Sequence, residues 1–174
     1  MRALHVAHLD WVLFGAVFFI TSFGMLGIFS LEYTTDQFGG PFLLRQSIAW
    51  GLGIIVCFFC TRFQSSLFEC VSAWLYLLGI ALLLAVLFFG ETIRGTQGWF
   101  QFAGVSFQPV EFAKVAFIVH CAHFLSKNRD HFRTWWPLLG SAAIATAPIL
   151  LTLLQPDAGS ALVMCMIWFI MVML

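Results

Sequence analysis

The chain has 174 residues, 61% of them hydrophobic and only 9% charged, with 21 phenylalanines, 7 tryptophans and a formal net charge of zero. Soluble domains average about 25% charged residues, so a water-soluble globule is excluded. The 8 basic and 8 acidic residues form no basic stripe, so a nucleic-acid partner is not expected. The composition points to an all-α, polytopic transmembrane helical bundle, with any chemistry placed where polar residues interrupt the apolar blocks.

A helix needs about 20 residues at 1.5 Å each to cross roughly 30 Å of hydrocarbon. Asp10 precedes Trp11–Leu31, an uncharged block too long for a signal-peptide core and right for a first span. Glu32–Pro41, ending Gly39-Gly40-Pro41, reads as an ordinary turn. The second span is expected over Gln46–Thr61, extending back over Phe42–Leu44. The short turn Arg62–Glu69 leads to a third, Cys70–Gly90. Next comes a polar loop, Glu91–Val105, in which Gly90, Gly95, Gly98 and Gly104 serve as hinges. A fourth span, Ser106–Ser126, is apolar except for Gln108, Glu111, Lys114 and two histidines. Thr134–Pro156 makes a fifth, its first residues interfacial, and Ala158–Leu174 a sixth. The chain stops inside that block, so residues 1–174 are expected to be the N-terminal part of a single transmembrane domain with more spans downstream.

Orientation follows from lysines and arginines in short loops. With the N-terminus cytoplasmic, Arg2, Arg62, Lys127, Arg129 and Arg133 lie inside, Arg45 and Arg94 outside, and Lys114 in the membrane. The loops at Glu32–Pro41, Glu91–Val105 and Gln155–Asp157 then face outward. Small residues at Gly24 and Gly27, Gly51 and Gly53, and Ser141–Ala145 allow close helix contacts. Cys57, Cys60, Cys70, Cys121 and Cys165 read as small hydrophobes rather than a redox or metal set. His120 and His123 share a helix face, but two ligands make no zinc site; interhelical hydrogen bonding or interface anchoring is the expectation.

Three places carry the candidate chemistry. Glu111 and Lys114 follow Pro109, which is tolerated in a first helical turn, and their i,i+3 spacing puts them on one face where they can pair. One reading is an outward-facing polar cavity in which Lys114 receives an anionic group and Glu111 holds it in place; the other is a structural salt bridge that fixes helix packing. In the outer loop, Arg94, Gln97, Trp99 and Gln101 suit a headgroup bearing sugars or phosphates, because arginine forks onto phosphate, while a plain tight loop with an interfacial tryptophan is the rival. Asp157 follows Gln155-Pro156 and stands at the start of the sixth helix. It either caps that helix or lines the same cavity, facing Lys114 or Arg94.

Taken in order, Gly95-Thr-Gln-Gly-Trp99, Phe107-Gln-Pro-Val-Glu-Phe-Ala-Lys114 and Gln155-Pro-Asp-Ala-Gly-Ser160 resemble the membrane glycosyltransferases of shape, elongation, division and sporulation, the SEDS family that includes RodA and FtsW. The resemblance runs over essentially the whole chain. It implies a bacterial inner-membrane protein of about ten spans that polymerises lipid II into peptidoglycan strands on the outer face, beside a class B penicillin-binding protein. Glu111, Lys114, Arg94, Gln97, Trp99, Gln108 and Asp157 would bind substrate, with the lysine or arginine near the pyrophosphate, where negative charge develops. A divalent cation would be compatible, but no residues here specify one. The family's usual Arg is replaced by Gly98 and its usual Ser by Val110. The presumed catalytic aspartate of the family belongs to a later outer loop outside this sequence, so the catalytic residue is unknown and this stretch alone is expected to be inactive. Gln97 leans toward the elongation, RodA-like member over the division member. A lipid II flippase or transporter and a non-catalytic scaffold stand as alternatives.

Overall fold

The computed structural model describes residues 10–34, 41–63, 65–93, 95–102, 105–129 and 134–173. They form six helices and one small sheet: α1 (Trp11–Thr34), α2 (Pro41–Cys60), α3 (Ser65–Phe89), β1 (Glu91–Ile93), β2 (Thr96–Phe102), β3 (Val105–Phe107), α4 (Pro109–Lys127), α5 (Trp136–Leu154) and α6 (Ala158–Met173). The chain divides into two compact units, Met1–Gln64 and Ser65–Leu174.

The first unit is a helical hairpin. The Asp10 carboxylate caps α1, its Oδ1 accepting the amides of Val12 and Leu13 at 3.0 and 3.1 Å. The other end of the hairpin carries a cap absent from the sequence reading. Glu32, near the end of α1 and buried, accepts the amides of Phe42 and Leu43 in the first turn of α2 through Oε1, both at 3.1 Å. A carboxylate suits that position because free N–H groups and the helix dipole favour an anion there. Mid-hairpin, the Trp50 indole donates to Thr21 Oγ1 at 2.9 Å while its ring lies 5.0 Å from Phe18.

The second unit holds α3–α6 and the sheet. α4 runs through its centre, burying Val110, Ala113, Ala116, Phe117, Cys121 and Leu125. Val110 joins Leu83, Ala113 and Met164 in one apolar cluster. Gly79 lets α3 and α4 approach closely: a Cβ built on it would meet Ala113 Cα at 3.3 Å.

Among the described residues four helices are long and apolar enough to cross a membrane: α1, α2, α3 and α5. α6 has 16 described residues. α4 interrupts its apolar run with Glu111, Lys114, His120 and His123; one side of it is buried, while Glu111, Val115 and Ile118 are exposed. The six expected helices are present in order, with shifted ends. α2 starts at Pro41 and includes Arg45, and α3 starts at Ser65 and includes Glu69. The expected Gly-hinged loop is in part a three-stranded antiparallel sheet of order β1-β2-β3. Thr92 pairs with Gln97, and Ile93 with Thr96; Phe100 pairs with Phe107, and Gln101 with Ser106. Gly95, at φ 86°, supplies the left-handed turn between β1 and β2.

Candidate functional site

Gln108 has extended backbone, φ −105° and ψ 106°, and forms the N-cap of α4 without using its side chain for capping; Pro109 follows in the first turn. One turn on, Lys114 Nζ donates to Glu111 Oε1 at 2.8 Å. The expected pair is therefore formed, and it is lopsided: the Lys114 side chain is 17% exposed and that of Glu111 61%. Lys114 lies about 7.5 Å along the axis from Pro109 at the helical rise. The cation is drawn in among the helices and its carboxylate partner faces out. A bridge with one exposed partner stabilises a fold by roughly 0.2–1 kcal/mol at most. Its main effect is to fix the direction in which Nζ points.

The turn from α5 to α6 stands beside this helix start. The amides of Gln155 and Asp157 both donate to Thr152 O, at 3.1 and 3.3 Å. Asp157 caps α6: its Oδ1 accepts the Ser160 amide at 3.0 Å. Its other oxygen, Oδ2, accepts from Gln108 Nε2 at 3.4 Å. The capping reading of Asp157 describes these contacts. It is a helix cap, and it also reaches α4, where its partner is Gln108 rather than Lys114. Arg94 lies outside the described residues.

Two further amides anchor this region to α3. Gln155 is 1% exposed, and its Nε2 donates to Leu83 O at 3.1 Å. Gln97, on β2, donates to Leu87 O at 3.2 Å and reaches Gly90 O at 3.5 Å. Leu87 lies in the last turn of α3, where carbonyls lack helical donors, while Leu83 O, further inside the helix, accepts Gln155 as an additional donor. Gly98 is buried beside Gln155, and a Cβ there would lie 3.5 Å from Gln155 Oε1. Trp99 is half-buried and stands opposite Glu91 in the sheet. Gln155 was not among the sequence candidates, although its motif was; nothing in the local pattern says that its amide turns inward. Among the described residues no three His, Cys, Asp or Glu side chains converge. Glu111 accepts from Lys114, and Asp157 from Gln108 and Ser160. Among the described residues these side chains gather no divalent-cation site.

A family model described as a cell cycle protein, that of FtsW, RodA and SpoVE, matches residues 10–174. The probable peptidoglycan glycosyltransferase FtsW of Hydrogenovibrio crunogenus is 30% identical over 164 residues, covering 91% of this chain and 42% of that protein. The peptidoglycan glycosyltransferase RodA of Treponema pallidum is 27% identical over 179 residues, covering 98% of this chain and 40% of that protein. Among solved structures, the rod-shape-determining protein RodA of Thermus thermophilus superposes with a TM-score of 0.74 at 33% identity, covering 89% of this chain and 50% of that one. A chain from a peptidoglycan synthase complex, described as coordinating polymerisation and crosslinking, gives a TM-score of 0.74 at 32% identity, covering 90% of this chain and 44% of that one. The chain spans less than half the length of these curated relatives.

Proposed function

This chain belongs to the FtsW, RodA and SpoVE family, and we propose on that premise that it forms the N-terminal part of a glycosyltransferase that polymerises lipid II into peptidoglycan strands. The protein is a multi-pass protein of the bacterial inner membrane; the excess of basic residues in the loops assigned to the cytoplasm supports an N-terminus inside. On this reading α4 opens toward the outer face, and Lys114 meets the pyrophosphate that links the sugar to its polyprenyl carrier.

The observation that carries this reading is the Glu111–Lys114 pair: a mostly enclosed ammonium, aimed by a carboxylate 2.8 Å away at the start of a proline-headed helix. Two unit charges 4 Å apart at an effective dielectric of 20 interact by about 4 kcal/mol. The linking pyrophosphate is already anionic and gains further negative charge as the glycosyl bond breaks, so such a cation stabilises the departing group more than the ground state. The similarity to a chain of a synthase complex supports a crosslinking enzyme as partner, and we propose a class B penicillin-binding protein in that role. The choice of elongation over division rests on Gln97, while relatives named both FtsW and RodA resemble the chain at 30% and 27% identity.

The test is lipid II polymerisation by the full-length protein with its partner in lipid nanodiscs. Lys114→Ala should lower the rate by roughly 10²–10³-fold, the range seen when one charge-stabilising donor is removed, with unchanged membrane accumulation. Glu111→Gln should cost about tenfold, because the lysine stays but is no longer aimed. Wild-type rates in Lys114→Ala would refute the site. Movement of lipid II across the bilayer without chain growth would favour the transporter reading.

A further inference from the structure

α5 carries Pro148 in its interior. A proline has no N–H, so the helical bond to the carbonyl four residues earlier, Ile144, cannot form, and the proline ring also pushes that carbonyl outward. In hydrocarbon a carbonyl left without a donor is costly, and neighbouring helices supply substitutes. Here the substitute is visible. The Tyr76 hydroxyl, on α3, donates to Ile144 O at 2.8 Å. The tyrosine is itself held: its ring stacks on His120 of α4 at 4.9 Å and 24°. His120 Nδ1 lies 3.5 Å from Ser72 Oγ, which donates to Glu69 O at 3.0 Å. On the far side of the proline, Thr152 Oγ1 donates to Pro148 O at 2.8 Å, and Thr152 O accepts both turn amides, Gln155 and Asp157.

These contacts form a line from α3, through the break in α5, to the outer turn that bonds Gln108. The distance from Pro148 to Gln155 is about 10 Å at the helical rise. A swing of about 10° at the proline would move the turn by about 2 Å, and misplacement of about 1 Å can cost 10²-fold in rate. We propose that Tyr76 is a positioning residue: its hydroxyl takes the place of the missing Pro148 amide and sets the direction of the outer half of α5, and thereby the placement of Gln155 and Asp157 at the start of α4. For its effect on turnover the inference rests on the glycosyltransferase reading; for its effect on the turn it does not.

The pairing of a missing N–H with a supplied hydroxyl makes a sharp test. Tyr76→Phe keeps the ring on His120 and removes only the donor. Pro148→Ala restores the backbone donor and makes the hydroxyl redundant. In the full-length protein in nanodiscs, hydrogen exchange at the Gln155 and Asp157 amides should be about threefold to twentyfold faster in Tyr76→Phe, the range of intramembrane hydrogen bonds expressed as an equilibrium shift. Tyr76→Phe should have no such effect in the Pro148→Ala background. Polymerisation should fall in kcat with KM unchanged, and again only when Pro148 is present. Unchanged exchange in Tyr76→Phe, or an equal effect in both backgrounds, would overturn the proposal. If Tyr76→Phe fails to accumulate, the double variant must accumulate as the wild type does; its failure would overturn the proposal equally. Altered exchange with no polymerase activity in any form would leave the positioning role standing and refute the assigned reaction.

Discussion

Gly79 sets the separation of α3 and α4, and the consequences of filling it can be worked out. A Cβ at that position would lie 3.3 Å from Ala113 Cα, 3.5 Å from Ala116 Cβ and 3.6 Å from Ala113 Cβ. The closest atom is backbone, so α4 itself must shift by a few tenths of an ångström. Gly79→Ala gains up to about 1 kcal/mol of helix propensity and loses about 1–3 kcal/mol to overpacking, a net cost of about 0–2 kcal/mol. Gly79→Leu adds three more carbons between helices whose axes pack at 8–10 Å. It should force them apart by about 1 Å or more and cost over 3 kcal/mol. Thermal unfolding in nanodiscs, followed by helical circular dichroism, measures this directly. Ala81→Leu, at an exposed position on the same helix, is the control and should change stability by less than about 0.5 kcal/mol. Because α3 offers the carbonyls that anchor Gln97 and Gln155 while α4 carries Gln108 and Lys114, Gly79→Ala should lower polymerisation more than its stability loss alone explains. Wild-type unfolding of Gly79→Leu would refute the close crossing and the reasoning built on it.

Asp157→Ala should destabilise the second unit by about 0.5–2 kcal/mol through loss of the α6 cap, while Asp157→Asn keeps most of it; equal unfolding of the two variants would count against the Ser160 contact. In the first unit, Trp50→Phe and Thr21→Val each remove the same hydrogen bond. Each should cost about 0.6 kcal/mol and no more than about 1.7, and the double variant no more than the larger single effect; full additivity would show that the two side chains do not act as a pair.

The helical plan was legible because charge-free blocks of spanning length leave a membrane chain few alternatives. The ends were less so. The rule that charges bracket spans began the third span at Cys70, yet α3 begins at Ser65 and carries Glu69 in its second turn. A charge near a helix end interrupts the apolar block without ending the helix. The sheet was missed for a different reason. Thr92, Ile93, Trp99, Phe100, Phe102, Val105 and Phe107 are good strand formers, but two of the three strands have only three residues. So short a stretch shows no period, and the same aromatic residues fill the helices. Glycines at 95 and 98 read equally well as hinges of a loop.

At the site, the division between what could and could not be read follows sequence distance. Glu111 and Lys114 meet because i,i+3 geometry on a helix is local. Tyr76 meets Ile144 across 68 residues, and Gln155 meets Leu83 across 72. The sequence does disclose some acceptors: Pro148 must leave Ile144 O without its amide, and the end of α3 leaves Leu87 O without one, though nothing marks Leu83 O inside the helix. It does not disclose which side chain answers them, because any donor on a neighbouring helix would serve. This changes the weight of the candidates. Gln97 and Gln155 donate to α3, and Gln108 donates to Asp157, so the glutamines of the three motifs have structural partners that account for their presence. Among the described residues the partner of Lys114 is Glu111, a carboxylate that is itself largely exposed, and an enclosed ammonium held by so weak a bridge is hard to explain by folding alone. The proposed function therefore depends on the cation, and the glutamines fix the frame in which it is presented.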